Sequence, residues 1–290
     1  MPISPAQLAE GVSKLISLPD ICFRVNEMVD DPRYSAVDIG NVVANDPAIT
    51  AQLLRIANSA YYGFPSRVDT LSRAIAIIGT QELRDLVLTT SIINSFHKVK
   101  PEVIDFQEFW RHSLATALAA RAMVKRMRAR ILHGERLFIA GLLHDIGHLV
   151  MAVRIPELLR VMRTRAEDAE EPMDEAERLV FDLDHAEVGA ALMQHWRLPA
   201  SLQMIAKYHH HPEKAGEQAR EAAIINIANN IAYQAGMKGI DSELDARVAP
   251  GAWELAGLTQ ESVAPIILEM GVLYDAAATV FLPAKRVASR

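Results

Sequence analysis

The chain has 290 residues, half of them hydrophobic and 23% charged, with a formal net charge of −6. That is an ordinary globular composition, and its acidic balance argues against sequence-independent nucleic-acid binding by the surface as a whole. The single cysteine, Cys22, excludes an internal disulfide and fits a reducing compartment, where it reads as packed core.

The opening residues, Met1-Pro2-Ile3-Ser4-Pro5, lack the basic segment and apolar run of a secretory signal. His and Asp interrupt the most hydrophobic window, so no bilayer-spanning stretch is expected. A cytoplasmic protein without membrane association is the expectation. Periodicity is helical throughout and strand-like alternation is nearly absent, which predicts an all-α fold. Leu18-Pro19 punctuates the first elements, and Asp46-Pro47 predicts a capped helix start with Ile49, Leu53 and Ile56 on one face. That helix runs out near Asn58-Ser59-Ala60-Tyr61-Tyr62-Gly63. Thr70 and Thr80 are predicted caps of the next two helices, with Gly79 ending the first.

A charged, proline-containing turn at Lys98-Val99-Lys100-Pro101 predicts a boundary, and a weaker one falls near Met237–Asp241. The expected organisation is an N-terminal helical lobe (1–100), a helical lobe with the His/Asp cluster (101–236) and a C-terminal helical extension (237–290). Upstream of residue 100 no ionisable cluster suits catalysis. The basic residues Arg121, Lys125, Arg126, Arg128, Arg130 and Arg136 read as a solvated helix end in preference to a docking patch for an acidic partner or phosphate.

The chemistry concentrates downstream. His144-Asp145 sits inside the apolar run Leu137–Leu143 and Ile146–Met151, where burying a carboxylate costs several kcal/mol unless it is paired or bound to a metal. Imidazole and carboxylate together suit Zn, Fe or Mn, although a lone pair of this kind serves equally as a core salt link. His112 lies on a helix apolar on most faces, so its imidazole must find a buried partner. His185 follows Asp184, which can cap the helix beginning there. His209 and His210 are expected to end a helix that starts at Pro199, with Pro212 blocking its continuation. His211 is expected at the surface. A metal held by His112, His144, Asp145, His185, His209 and His210 would acidify bound water and polarise a phosphoryl oxygen.

These blocks, in order, resemble the HDOD family, a branch of the HD metal-dependent phosphohydrolase superfamily. The resemblance rests on Asp46–Thr50, Asn58–Gly63, Ala74–Gly79, Phe109–Ser113, Ala140–Gly147, Asp184–Ala190, Trp196–Pro199 and Tyr208–Pro212. It implies a multi-helical HD-like fold with an additional N-terminal helical lobe, acting as an output module of bacterial signalling proteins. The implied partners are signalling proteins of two-component or cyclic-dinucleotide systems, with no direct nucleic-acid contact.

The implied ligands for one or two divalent ions (Fe, Mn or Zn) are His112, His144, Asp145, His185, His209 and His210. His148 and Asn229 lie nearby. Asn229 stands where the superfamily's hydrolases carry a final Asp, and His148 where related cyclic-dinucleotide phosphodiesterases carry Lys. A neutral amide oxygen pulls less on a divalent ion than a carboxylate does. The departures favour a module that binds proteins or ligands without turnover, so no residue is assigned a catalytic role. The alternative is a metal-dependent phosphohydrolase acting on a nucleotide or cyclic nucleotide.

Overall fold

Helices supply all the regular structure among the described residues of the computed structural model, which are 3–16, 18–59, 62–64, 66–97, 103–127, 134–240 and 242–282. Ala60 and Tyr61, the predicted boundary at Lys98–Pro101, Arg128, Arg130 and Asp241 lie outside the described residues. The fold is all-α, as the periodicity predicts.

The chain divides into two units, each discontinuous in sequence: residues 1–17 with 99–271, and residues 18–98 with 272–290. α1 (Pro5–Ser13) belongs to the first. The second contains α2 (Asp20–Val29), α3 (Ala36–Ala44), α4 (Pro47–Ala57), α5 (Leu71–Ile78) and α6 (Thr80–His97). Its core is built from Cys22, Val25, Val43, Leu53, Ile56, Leu83 and Val87, all buried. The local signals behave as read for α4 and α5. The Asp46 carboxylate accepts from the Ala48 and Ile49 amides at 2.9 and 3.0 Å, and Thr70 accepts from the Arg73 amide at 3.3 Å. Gly79, at φ +89°, ends α5. Thr80 is instead the first helical residue of α6, because the Gly79 turn feeds directly into it.

The remaining helices build the other unit. They are α7 (Phe106–Met127), α8 (Gly134–Leu143), α9 (Ile146–Arg154), α10 (Pro156–Ala169), α11 (Met173–Phe181), α12 (His185–His195), α13 (Ala200–Lys207), α14 (Ala219–Gln234), α15 (Ala252–Ala256) and α16 (Val263–Phe281). Residues of α16 from Val272 onward group with the other unit. α7 packs on α8 and α14, and α12 packs on α9, α13 and α1. Gly147 makes the α9–α12 approach possible: a Cβ there would fall 1.8 Å from the His185 carbonyl oxygen.

Among the described residues two stretches, 134–154 and 260–281, are long and apolar enough on average to cross a membrane, by length and composition alone, which corrects the expectation that none would be. Leu, Ile, Val and Ala on either side outweigh the His/Asp interruption in a mean. The first stretch is 89% buried inside the protein, as a core segment is, whereas the second is 22% buried.

The described basic residues do not stand free. Arg121 pairs with Glu135 at 3.0 Å, Arg136 with Glu221 at 3.1 Å, and Lys125 and Arg126 share Glu269 at 2.7 and 3.0 Å. Their charge is answered within the unit.

Candidate metal centre

Asp145 is the hub. α8 stops at Leu143 and α9 begins at Ile146, so His144 and Asp145 occupy the break between two core helices. Asp145 holds the N-cap position of α9, yet its side chain makes no capping bond. The carboxylate turns inward and meets four imidazoles. Oδ2 lies 2.9 Å from His144 Nε2 and 3.8 Å from His112 Nε2. Oδ1 lies 3.4 Å from His209 Nε2 and 3.5 Å from His185 Nε2. His210 completes the group, its Nε2 3.0 Å from that of His185. His112, His144, Asp145, His185 and His209 are at most 2% exposed.

Each imidazole around Asp145 is held from behind. His112 Nδ1 donates to the Met237 carbonyl at 2.8 Å, His144 Nδ1 to Gly141 at 2.8 Å, and His209 Nδ1 to Ala206 at 2.7 Å. His185 Nδ1 meets a carboxylate oxygen of Glu177 at 2.7 Å. For His112, His144 and His209 a proton on Nδ1, held by a carbonyl, leaves the Nε2 lone pair directed at the centre, which is the usual arrangement of metal-ligating histidines. His209 and His210 follow α13, which ends at Lys207, so the helix is shorter than expected and both rings sit in the turn beyond it. The Ala206 bond to His209 Nδ1 closes that turn.

The donor set fits a cation. His144 Nε2, His209 Nε2, Asp145 Oδ2 and Asn229 Oδ1 are buried without a properly directed hydrogen bond. Such orphaned atoms are rare in a protein interior, and here imidazole lone pairs crowd a carboxylate. Among the described residues the donors that cluster closely form three groups, two of which share Asp145: with His185, His209 and His210, and with His112 and His144; the third is His148, Glu177 and His185. Nitrogen and oxygen donors of this kind allow a site for Zn, Fe or Mn.

Electrostatics follow from burial and crowding. Burial, reinforced by His144, pushes His112 down to about 4. Burial also lowers His209, and, with neighbouring imidazoles, holds His148 and His210 well below the usual histidine range. Asp145 is driven up by burial, but His144 and His209 outweigh that and hold it well below the usual carboxylate range. His185 is the exception: burial opposes its charge, yet Glu177, Asp145 and Asp184 raise it well above the usual value.

Of the flanking residues, Asn229 on α14 lies beside His112. His148 stacks on His185, ring centroids 3.7 Å apart at 17°. His211 lies 3.6 Å from Asp174 and is partly exposed. Sequence reasoning missed Glu177, wholly buried on α11, and the backbone carbonyl of Met237. A cavity of about 670 Å³ reaches the centre at His210, lined by Asp174, His211, Asn226, Arg247, Val248 and Pro250 among others.

Fold and site together define an all-helical protein with a buried His/Asp centre able to hold a metal. The HDOD domain matches residues 15–212, and the chain belongs to the HDOD family. It is 25% identical over 213 residues to an uncharacterized protein of Treponema pallidum (strain Nichols). That match covers 73% of this chain and only 41% of the relative's length. The solved structure of an HDOD domain protein with unknown function from Geobacter sulfurreducens superposes with a TM-score of 0.73 at 24% identity, covering 96% of this chain and 98% of that one. A candidate phosphohydrolase from Shewanella amazonensis SB2B gives 0.72 at 23% identity, covering 94% and 96%. At these identities the likeness is one of fold.

Proposed function

We propose that this chain is a signal-transduction regulatory module of the HDOD type that holds a divalent ion of Fe, Mn or Zn and acts by binding proteins or ligands, not by turnover. One observation carries the reading. Nitrogen and oxygen donors converge on Asp145 with their outer N–H groups locked, but Asn229 beside His112 supplies an amide where a further carboxylate would complete the set. Such a site keeps much of its grip on a cation while lacking the charge that supports hydrolysis. The candidate ligands are His112, His144, Asp145, His185, His209 and His210. When bound, the ion would polarise a phosphoryl oxygen. The chain's own residues orient the donors, and a cavity opens on them at His210.

The second reading, a metal-dependent phosphohydrolase, is favoured by the cavity at His210, whose volume falls in the range of small-molecule sites. One experiment separates the two. Metal content is measured on the full chain and on His144→Ala, and both are assayed on a panel of nucleotides, cyclic nucleotides and phosphoesters. Near-stoichiometric metal lost in the variant, with no turnover by either protein, is the expected result. Turnover abolished by His144→Ala would establish the hydrolase instead, and no metal in either protein after reconstitution would end both readings.

A further inference from the structure

A fully buried carboxylate lies behind the candidate ligands. Glu177 on α11 is 0% exposed, and among the described residues its near partners are imidazoles and a backbone amide. Oε2 accepts from the His185 amide at 2.8 Å and meets His185 Nδ1 at 2.7 Å, while Oε1 lies 3.4 Å from His148 Nδ1. The first contact uses an amide that the opening turn of α12 leaves unbonded. The second fixes the ring about both its plane and its tautomer, so that Nε2 faces Asp145 and His210.

Glu177, His148 and His185 lie close enough to suggest an ion of their own, but the geometry opposes it. The His148 and His185 rings are nearly parallel and stacked, so their in-plane lone pairs run side by side and do not converge. A separation of 2.7 Å between His185 Nδ1 and Glu177 Oε2 is a hydrogen bond and leaves no room for a cation between them. His148 instead braces the outer face of His185.

We infer that Glu177 is the positioning residue of the metal centre: it orients His185 toward the ion and, with Asp145, supplies the negative charge that a divalent cation neutralises. With both carboxylates ionised and His185 neutral, Asp145 and Glu177 would carry two negative charges, which match one divalent ion. Burial of an uncompensated charge is costly, so a centre short of a carboxylate at Asn229 gains from one held just behind a ligand. This inference rests on the reading that the centre holds a metal.

The test is a Co²⁺ titration of the metal-stripped full chain, followed by d–d absorption and by competition with a chelator. Wild type, Glu177→Gln and Glu177→Asp are compared, with far-UV circular dichroism as the folding control. Gln keeps the shape but loses the charge, and Asp keeps the charge but withdraws it from Nδ1. The expected outcome is binding weakened by about 10–100-fold in Glu177→Gln, the range for loss of such outer partners, with an altered d–d spectrum. Where Gln fails to fold, Glu177→Asp carries the test, with weaker binding and a changed spectrum expected. Folded variants matching wild type in affinity and spectrum would overturn the role of Glu177 alone. Absence of Co²⁺ binding by wild type would overturn the metal reading and this inference with it.

Discussion

The carbonyl oxygen of Met237 lies 2.8 Å from His112 Nδ1, across 125 residues of chain. The segment after α14 therefore reaches back to the helix that carries the first candidate ligand. Asn226 and Asn230 of α14 hold the same segment farther along, through the Ala249 amide at 2.8 Å and the Ala246 carbonyl at 2.7 Å. Gly239 fits because it has no side chain: a Cβ would fall 2.6 Å from His112 Cβ, and its φ is +64°. Gly239→Val is expected to cost about 1–3 kcal/mol, the range for overpacking, and to weaken metal binding by displacing His112. Denaturant unfolding and chelator competition check both effects, and an unchanged metal affinity would separate the segment from the centre.

Gly147→Ala tests the α9–α12 approach. The added methyl meets the backbone of His185, which cannot rotate aside as a side chain can. A loss of about 3 kcal/mol or more is expected, at the severe end of single substitutions, measured by urea unfolding. Wild-type stability would mean that α9 and α12 stand farther apart than described.

Asn229→Asp restores a carboxylate beside His112. Divalent binding is expected to tighten by about tenfold, or about 1.4 kcal/mol, as read by competition with a chelator of known affinity. Unaltered or weaker binding would place residue 229 outside reach of the ion.

The metal-stripped protein should lose stability as acid is added. Groups whose folded value lies below 6.5 bind fewer protons in the native state than in the unfolded chain, so stability falls as pH drops from about 6.5 toward 4. His112, at about 4, accounts for about 3 kcal/mol of that loss. His148, His209 and His210 shift in the same direction. His185 opposes them, since its raised value stabilises the fold at low pH and that contribution fades as pH rises through it. Asp145, held low, adds a further loss below the ordinary carboxylate range. Thermal unfolding from pH 8 to 4 in chelator should show a falling Tm, and a flat or rising profile would contradict the burial of these neutral rings.

Cys22 should resist alkylation. Burial raises its thiol to about 11, despite the hydrogen bond from Ser91, so the reactive thiolate is scarce at neutral pH. Iodoacetamide at pH 8 should leave the native chain unmodified and label it once it is unfolded. Rapid labelling of the native chain would show that α2 opens readily.

Much of the fold was legible because its signals are local. Asp46 and Asp184 each cap a helix where the pattern places it, and the all-round apolar face of α7 announces burial. The histidines were legible for a related reason: imidazoles inside an apolar context need an explanation wherever the chain folds. Glu177 was not. It lies in Met173–Phe181, where Asp174, Glu175 and Arg178 make the helix look solvated, and only the tertiary packing shows which carboxylate turns inward. Met237 was illegible because its contribution is a backbone carbonyl, which any residue type supplies. The Gly79–Thr80 junction failed for a smaller reason, since a turn glycine can replace a capping side chain.

The first helix has a practical bearing on how the molecule can be divided. Leu8, Ala9 and Val12 of α1 are buried, and α1 packs on α9 and α12, the helices that begin just after Asp145 and at His185. Each large side chain so buried is worth about 1.5–3 kcal/mol. A fragment starting near residue 99 would expose that apolar seam and loosen the two helix starts that frame the centre. Biochemistry on the half that carries the His/Asp centre therefore requires the N-terminal residues, supplied in the same chain or added back as a peptide, and aggregation of a fragment without them would say nothing about the centre itself.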